Sequence, residues 1–306
     1  MRHAMKSRLI LSLILIFVIK NVYAQSTPMV VASIKPIHSI VSSLMDGIAK
    51  PELLLQSNNS AHTFHIKPSQ IKMIENAQLV ITISDKFEIG LSKVLKNLDE
   101  SSHFQIISLS NLNIHRYRAD IIYDDDDQEQ QSQEALMNDM HLWLDIENIK
   151  KISRHINSLL VDIDPVNEDK YNKNFNILTS KLDTLKIEIN NQMRPFSTKQ
   201  YAAYSDTMQY FEKNYNLGRP VIVTPYHGAR LSINRTLAAK NTIKDLNVSC
   251  LLYGTEARKS QISVLSEGLN LKAFKIDIIG QEFTSGPGQY FKLMKRISNQ
   301  TSSCLE

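Results

Sequence analysis

One amphipathic stripe limits the architecture more than any other feature of this chain. Tyr171, Phe175, Leu178, Leu182, Leu185 and Ile189 recur at alternating spacings of four and three, which lines them along one face of a helix. Asp164-Pro165 supplies an N-cap and a first-turn proline. The pattern therefore predicts a single helix over 165–193, roughly 43 Å long at 1.5 Å per residue. A helix of that length fits the height of a molecule with two lobes.

The segments on either side of the stripe follow similar plans. Before it, short apolar runs at 29–33, 52–55, 79–84 and 104–109 read as strands, with helical patterns at 36–45, 68–76 and 87–98. After it, strands are expected at 200–204, 220–224, 248–253 and 271–276, with helices at 208–215, 233–246, 261–269 and 290–297. Strands alternating with helices through short links imply parallel sheets covered by helices. The expected fold class is α/β, with two lobes, each a mainly parallel sheet flanked by helices, joined by one long rigid helix. The division is 25–163 for the N-terminal lobe, 164–195 for the connecting helix and 196–306 for the C-terminal lobe.

The first residues read as a targeting segment. Arg2, Lys6 and Arg8 precede an apolar run over 9–19, and Val22-Tyr23-Ala24 offers small residues for cleavage near Ala24. Roughly 11 apolar residues are too few to span a bilayer core, which needs about 20. Residues 1–24 are therefore expected to be a signal peptide, and the mature protein an exported one. Charge supports no nucleic-acid role. The chain has 35 Lys+Arg against 31 Asp+Glu, and Arg2, Lys6, Arg8 and Lys20 all lie in the targeting segment, so the remainder is balanced.

Cys250 and Cys304 are the two cysteines. In an exported chain one disulfide is the natural reading, stabilising by roughly 4 kcal/mol. The alternative is a pair of metal-binding thiolates, although CxxC spacing is absent. Asp124-Asp125-Asp126-Asp127 and the polar run after it lie in a segment, 120–137, without apolar periodicity. It reads as an acidic loop that interrupts the N-terminal lobe.

Two histidines stand where loops meet strands or helices. His62 lies in Ser60-Ala61-His62-Thr63-Phe64-His65, between a strand and a helix, and His141 follows the acidic loop. Ligand sites in open α/β sheets gather beyond the carboxyl ends of strands, and neutral imidazole suits Zn²⁺. His65, three residues from His62, can approach the same ion. His38 reads as a packed, hydrogen-bonded imidazole, His227 as a loop residue, and His103, His115 and His155 as surface positions.

These segments resemble those of the TroA-like periplasmic metal receptors of zinc-uptake systems. Ala32-Ser33-Ile34-Lys35-Pro36-Ile37-His38 resembles their opening strand and helix. Glu52-Leu53-Leu54-Leu55, with the His62 segment through Pro68-Ser69, is similar to their first ligand loop. His141-Leu142-Trp143-Leu144-Asp145 is similar to the second, an HxWLD pattern. Lys275-Ile276-Asp277-Ile278 resembles a late strand whose Asp faces the site, and Cys250 with Cys304 resembles the disulfide of the zinc branch. The resemblance implies an extracytoplasmic, periplasmic solute-binding protein rather than an enzyme. It implies Zn²⁺ as transported ligand in an interlobe cleft, and an ABC-type permease with its ATPase subunit as partners. The implied ligands are His62, His141 and Asp277.

One position departs from that pattern. In Tyr204-Ser205-Asp206-Thr207, Ser205 stands where members present a third His. A hydroxyl is a poor Zn²⁺ ligand, so water, Asp206, His65 or another residue such as Glu256 is needed to complete the shell. An oxygen-richer shell leans toward a Mn²⁺ or Fe²⁺ receptor of the same family. A secreted metallohydrolase is the competing class, but the chain has no HExxH, GxSxG or P-loop pattern.

Overall fold

The computed structural model describes residues 27–55, 66–118, 138–224 and 233–306. The expected targeting segment, the segment bearing His62 and His65, the acidic segment at 120–137 and His227 lie outside the described residues.

Two four-stranded sheets, all parallel, form the frame. The first comprises β1 (Val30–Ala32), β2 (Glu52–Leu53), β3 (Leu79–Thr82) and β4 (His103–Gln105), in the order β2-β1-β3-β4. The second comprises β5 (Ala202–Ser205), β6 (Val221–Thr224), β7 (Cys250–Tyr253) and β8 (Lys272–Lys275), in the order β6-β5-β7-β8. The orders are equivalent, and each sheet reverses its winding between its first and third strands. The reversals lie at β1 and β3 in one lobe and at β5 and β7 in the other, and parallel sheets place ligand sites beyond the carboxyl ends of such strands. β1, β3 and β5 are buried along their whole length, as expected for strands covered on both faces.

The helices match the alternation with informative exceptions. α1 (Lys35–Leu44) and α2 (Pro68–Glu75) both begin at or next to a proline, whose missing N–H costs nothing in a first turn. The pattern at 87–98 resolves into a 3₁₀ turn, Ile89–Leu91, and a short α3, Ser92–Leu95. α4 (Ile146–Ile163) was not anticipated. It buries Ile146, Ile149, Ile152, Ile156 and Leu160, a spacing of three and four that is helical in its own right. Asp145 caps it by accepting the Glu147 N–H at 2.8 Å.

Asp164 precedes the helical turn at Pro165 as expected, and it also ends α4. Its N–H closes α4 on the Leu160 carbonyl, and its carboxylate accepts from Asn167 Nδ2 at 2.8 Å and the Tyr171 hydroxyl at 3.0 Å. A 3₁₀ turn, Pro165–Asn167, then leads into the long helix α5 (Glu168–Met193), followed by a second 3₁₀ turn, Arg194–Phe196. Every residue of the stripe is buried except Phe175, which is half-buried.

The remaining helices are α6 (Gln209–Asn214), α7 (Ile233–Asp245), α8 (Lys259–Ser266) and α9 (Gln289–Leu305). α9 extends eight residues beyond the expected 297, and Cys304 in its last turn is bonded to Cys250 at the start of β7. α9 also packs on α1 and α5. One hydrophobic core therefore runs from β1 and α1 through Leu182 and Leu185 of α5 to Tyr290 and Leu293 of α9, reaching Cys250 and Leu252. A smaller core, including Val223, Leu251 and Leu265, sits under the second sheet. Among the described residues, no helix is long and apolar enough to cross a membrane.

Candidate metal centre

His141 is held by its own segment. It precedes a 3₁₀ turn, Leu142–Leu144, and is 2% exposed. Its Nδ1 lies 2.7 Å from Asp139 Oδ1, and its backbone N–H donates to the same oxygen at 3.0 Å. The Asp139 carboxylate thereby selects the tautomer protonated at Nδ1 and leaves the Nε2 lone pair for a cation, an arrangement recurrent around metal-binding imidazoles. Phe87 and Trp143 place their rings at 6.2 and 5.3 Å from the imidazole, edge to face. Asp139 escaped sequence reasoning, although its position two residues before His141 was the available signal.

Three contacts carry this segment across to the second lobe. Trp143 Nε1 donates to the Ile278 carbonyl at 2.7 Å. The Tyr290 hydroxyl donates to the Trp143 carbonyl at 2.8 Å. The Tyr210 hydroxyl of α6 donates to the Asp139 carbonyl at 2.8 Å. His141 is thus tied both to the loop that carries Asp277 and to the helix that follows Ser205 and Asp206.

Asp277 caps its own turn. Its oxygens accept the backbone N–H groups of Ile279 at 3.0 Å, Gly280 at 2.9 Å and Gln281 at 2.5 Å. Lys35, 6% exposed, donates to the carbonyls of Gln281 and Phe283, both at 2.8 Å. Burial draws the ammonium of Lys35 below its ordinary range, and the charge of Asp277 opposes that. The Asp277 loop is therefore rigid and pinned to the start of α1.

Asp206 is turned away from solvent into an ion cluster. Arg118, from the N-terminal lobe, reaches Asp206 Oδ1 at 2.8 Å and also pairs with Glu212. The side chains are 11% exposed for Arg118, 0% for Asp206 and 4% for Glu212. Burial pushes the Asp206 carboxyl up to about 7 in spite of the adjacent guanidinium, and burial raises Glu212 as well. Arg118 and Glu212 carried no sequence signal, since their partnership spans 94 residues. Arg116, two residues earlier, forms an antiparallel bridge with Asn138, so the two sides of the acidic segment are joined next to His141.

Ser205 closes β5, and its hydroxyl donates to Glu256 Oε1 at 2.7 Å. The first lobe has a counterpart. Ser33, after β1, donates to Glu88 Oε1 at 2.5 Å, while the backbone N–H groups of Ile83 and Ser84 donate to the same carboxylate at 3.0 Å each. Glu88 is fully buried, and burial pushes it up to about 7. Glu256 by contrast is only partly buried.

The other histidines sort by their partners. His38 is buried with Nε2 3.0 Å from the Pro51 carbonyl, the packed role expected of it. His103, His115 and His155 are half-buried rather than surface residues. His103 lies 2.9 Å from Thr82 Oγ1, His115 lies against Tyr210 and His155 against Phe104. Among the described residues, no group of three His, Cys, Asp or Glu side chains is placed to hold a metal ion. The structure brings the His141, Ser205 and Asp277 segments together through their neighbours. His62 and His65 fall outside the described residues.

Comparison with known proteins gives this arrangement relatives. The model of the family described as "ZnuA: Zinc-uptake complex component A periplasmic" matches residues 30–304. The high-affinity zinc uptake system protein ZnuA of Brucella abortus (strain 2308) is 26% identical, over 90% of this chain and 91% of its own length. A crystal structure of ZnuA superposes with a TM-score of 0.76 at 18% identity, covering 92% of this chain and all of the other. The solute-binding protein FpvC of Pseudomonas aeruginosa, in complex with Mn²⁺, superposes with a TM-score of 0.75 at 15% identity, covering 92% and 99%.

Proposed function

Since the chain belongs to the ZnuA family of periplasmic zinc-uptake components, we propose that it captures Zn²⁺ between its lobes and hands it to an ABC-type permease driven by an ATPase subunit. His62 and His141 are the imidazole ligands in this reading, with Asp277 as an anionic one. The observation that carries it is the Asp139–His141 pair. A buried imidazole whose Nδ1 faces a carboxylate at 2.7 Å presents a basic Nε2 and little freedom to turn away. Export through residues 1–24, with cleavage near Ala24, belongs to the same proposal.

Capture rather than catalysis suits the surroundings of His141. The carboxylate beside it, Asp139, is engaged by the imidazole itself, and Phe87 and Trp143 face it edge-on, whereas a hydrolase needs a water-filled coordination position beside a general base. Ligands drawn from both lobes make binding free energy favour the loaded form.

A second reading within the family is a receptor for Mn²⁺ or Fe²⁺. Ser205 in place of an imidazole supports it, because oxygen-rich shells suit harder cations. Titration of the metal-free protein with Zn²⁺, Mn²⁺ and Fe²⁺ separates these readings. A saturable 1:1 site that is lost in the His62→Ala/His141→Ala double variant is the expected result. Absence of any saturable site refutes the proposal, and a site with Mn²⁺ or Fe²⁺ above Zn²⁺ selects the second reading.

A further inference from the structure

Resting on the capture reading, we infer that Tyr210 of the second lobe is a positioning residue for His141 of the first, acting through Asp139. Its hydroxyl is spliced into the short backbone ladder from which His141 emerges. Arg116 and Asn138 form an antiparallel bridge, so the next pair in that register is His115 with Asp139. Such a pair normally exchanges two N–H···O=C bonds. One is direct here, from the Asp139 N–H to the His115 carbonyl at 2.7 Å. In place of the other, the His115 N–H donates to the Tyr210 hydroxyl at 3.1 Å, and that hydroxyl donates to the Asp139 carbonyl at 2.8 Å.

The insertion is firm on the side of the second lobe. Tyr210 is fully buried. Burial, with the charge of Asp139 nearby, raises its phenol above the ordinary range, so the hydroxyl keeps the proton it donates. Its neighbours on α6 hold the same stretch of chain. Gln209 Nε2 donates to the Arg116 carbonyl at 3.0 Å, and Glu212 pairs with Arg118. Tyr210 differs from both in reaching the Asp139 side of the ladder. Asp139 in turn meets His141 through Oδ1 alone, which accepts both the backbone N–H and Nδ1–H. Its Oδ2 is buried without a hydrogen-bond partner among the described residues. With no second anchor on the side chain, the carboxylate goes where its backbone goes, and Tyr210 holds that backbone.

Without the hydroxyl the ladder has two courses. It can close, drawing Asp139 toward His115 by the width of the lost oxygen. Otherwise it stays apart, with an N–H and a carbonyl left unpaired inside the protein, which is costly. Either course shifts Asp139 Oδ1 relative to the imidazole. The partner at Nδ1 decides which ring nitrogen carries the proton, so a displaced carboxylate frees the ring to turn or to protonate at Nε2. The bare Nε2 of a first-lobe imidazole thus depends on a second-lobe hydroxyl being in place.

Two measurements test the inference: ¹⁵N NMR of the neutral His141 ring in metal-free protein, and competition titration with Zn²⁺. The wild-type ring should carry its proton on Nδ1. Tyr210→Phe, which deletes one oxygen and leaves the buried ring in its seat, should give a mixture of tautomers and weaken Zn²⁺ by about 10-fold, the low end of the cost of losing an outer partner. Asp139→Asn/Tyr210→Phe should lose little more than Asp139→Asn alone, since two residues on one route are not additive. Gln209→Leu releases Arg116 but spares the 115–139 pair, and should keep the wild-type tautomer. Thermal unfolding of each variant checks that it is folded at the assay temperature. A wild-type ring protonated at Nε2 overturns the inference before any variant is made. An unchanged tautomer in Tyr210→Phe, additive losses in the double variant, or an equal shift in Gln209→Leu overturns it as well. Wild type that binds no Zn²⁺ counts against the capture reading alone, because the tautomer is read without metal.

Discussion

Replacing Arg118 by Met tests how tightly the two lobes are held beside the cleft. The substitution keeps an apolar stem of similar length and removes the charge from between two carboxylates that are 0% and 4% exposed. Surface ion pairs contribute about 0–1 kcal/mol, whereas leaving a buried charge without its partner costs about 3–5 kcal/mol. The burial of all three side chains places this cluster in the second class, so Arg118→Met should destabilise the folded chain by about 3–5 kcal/mol near neutral pH. The loss should shrink as pH falls, because Asp206, already pushed up to about 7, can then take a proton in place of its partner. Urea denaturation followed by tryptophan fluorescence gives the number directly, since Trp143 is the single tryptophan and is buried. The triple variant Arg118→Met/Asp206→Asn/Glu212→Gln should regain most of the loss, because it leaves no buried charge. A loss under about 1 kcal/mol for Arg118→Met would mean that water screens the cluster as it does surface pairs, and that the cluster does not fasten the lobes.

Three further outcomes follow from the same geometry. Asp139→Asn should weaken Zn²⁺ binding by about 10–100-fold while His141 is still present; a competition titration against a chromophoric chelator measures this, and unchanged affinity would deny Asp139 its orienting role. Removing the disulfide, as Cys250→Ser/Cys304→Ser, should cost about 4 kcal/mol for a separation of 54 residues; equal denaturation midpoints with and without the bond would refute that figure. Glu88 has a folded-state pKa raised from 4.5 to about 7, so its contribution to stability is present below about 4.5 and is lost as pH rises through about 7. Stability measured from pH 5 to 8 should therefore fall, and Glu88→Gln should reduce the slope while leaving the part due to Asp206; an identical slope in the variant would exclude Glu88 as a source.

The parallel sheets were legible because buried parallel strands are short, apolar and regularly interleaved with helices, and Val30–Ala32 and Leu79–Thr82 carry that signal undiluted. The long helix was legible from its stripe, and its opening from Asp164-Pro165, which begin the 3₁₀ turn that leads into α5. Not legible was that Asp164 also closes α4 and receives Tyr171. α4 itself has a helical periodicity in Ile146, Ile149, Ile152, Ile156 and Leu160, set between the HxWLD segment and the longer stripe. Within the candidate centre, His141 could be picked out because its neighbours form a local motif. Arg118 with Asp206, Ser205 with Glu256 and Trp143 with Ile278 are pairings between distant parts of the chain, and one sequence has no local pattern from which to read them.

The return of α9 to the first lobe has a mechanical consequence. A clamshell opens easily when one strap joins its halves, since only that strap needs to bend. Here the chain crosses once through α5 and comes back as α9, which lies on α1 and is bolted at its far end to β7 by Cys304. Wide rotation of the halves would have to peel Tyr290 and Leu293 out of a shared core. Loading and unloading therefore fall to short rearrangements at the rim of the crevice. The permease of the proposed function would then prise open a few side chains instead of swinging a domain.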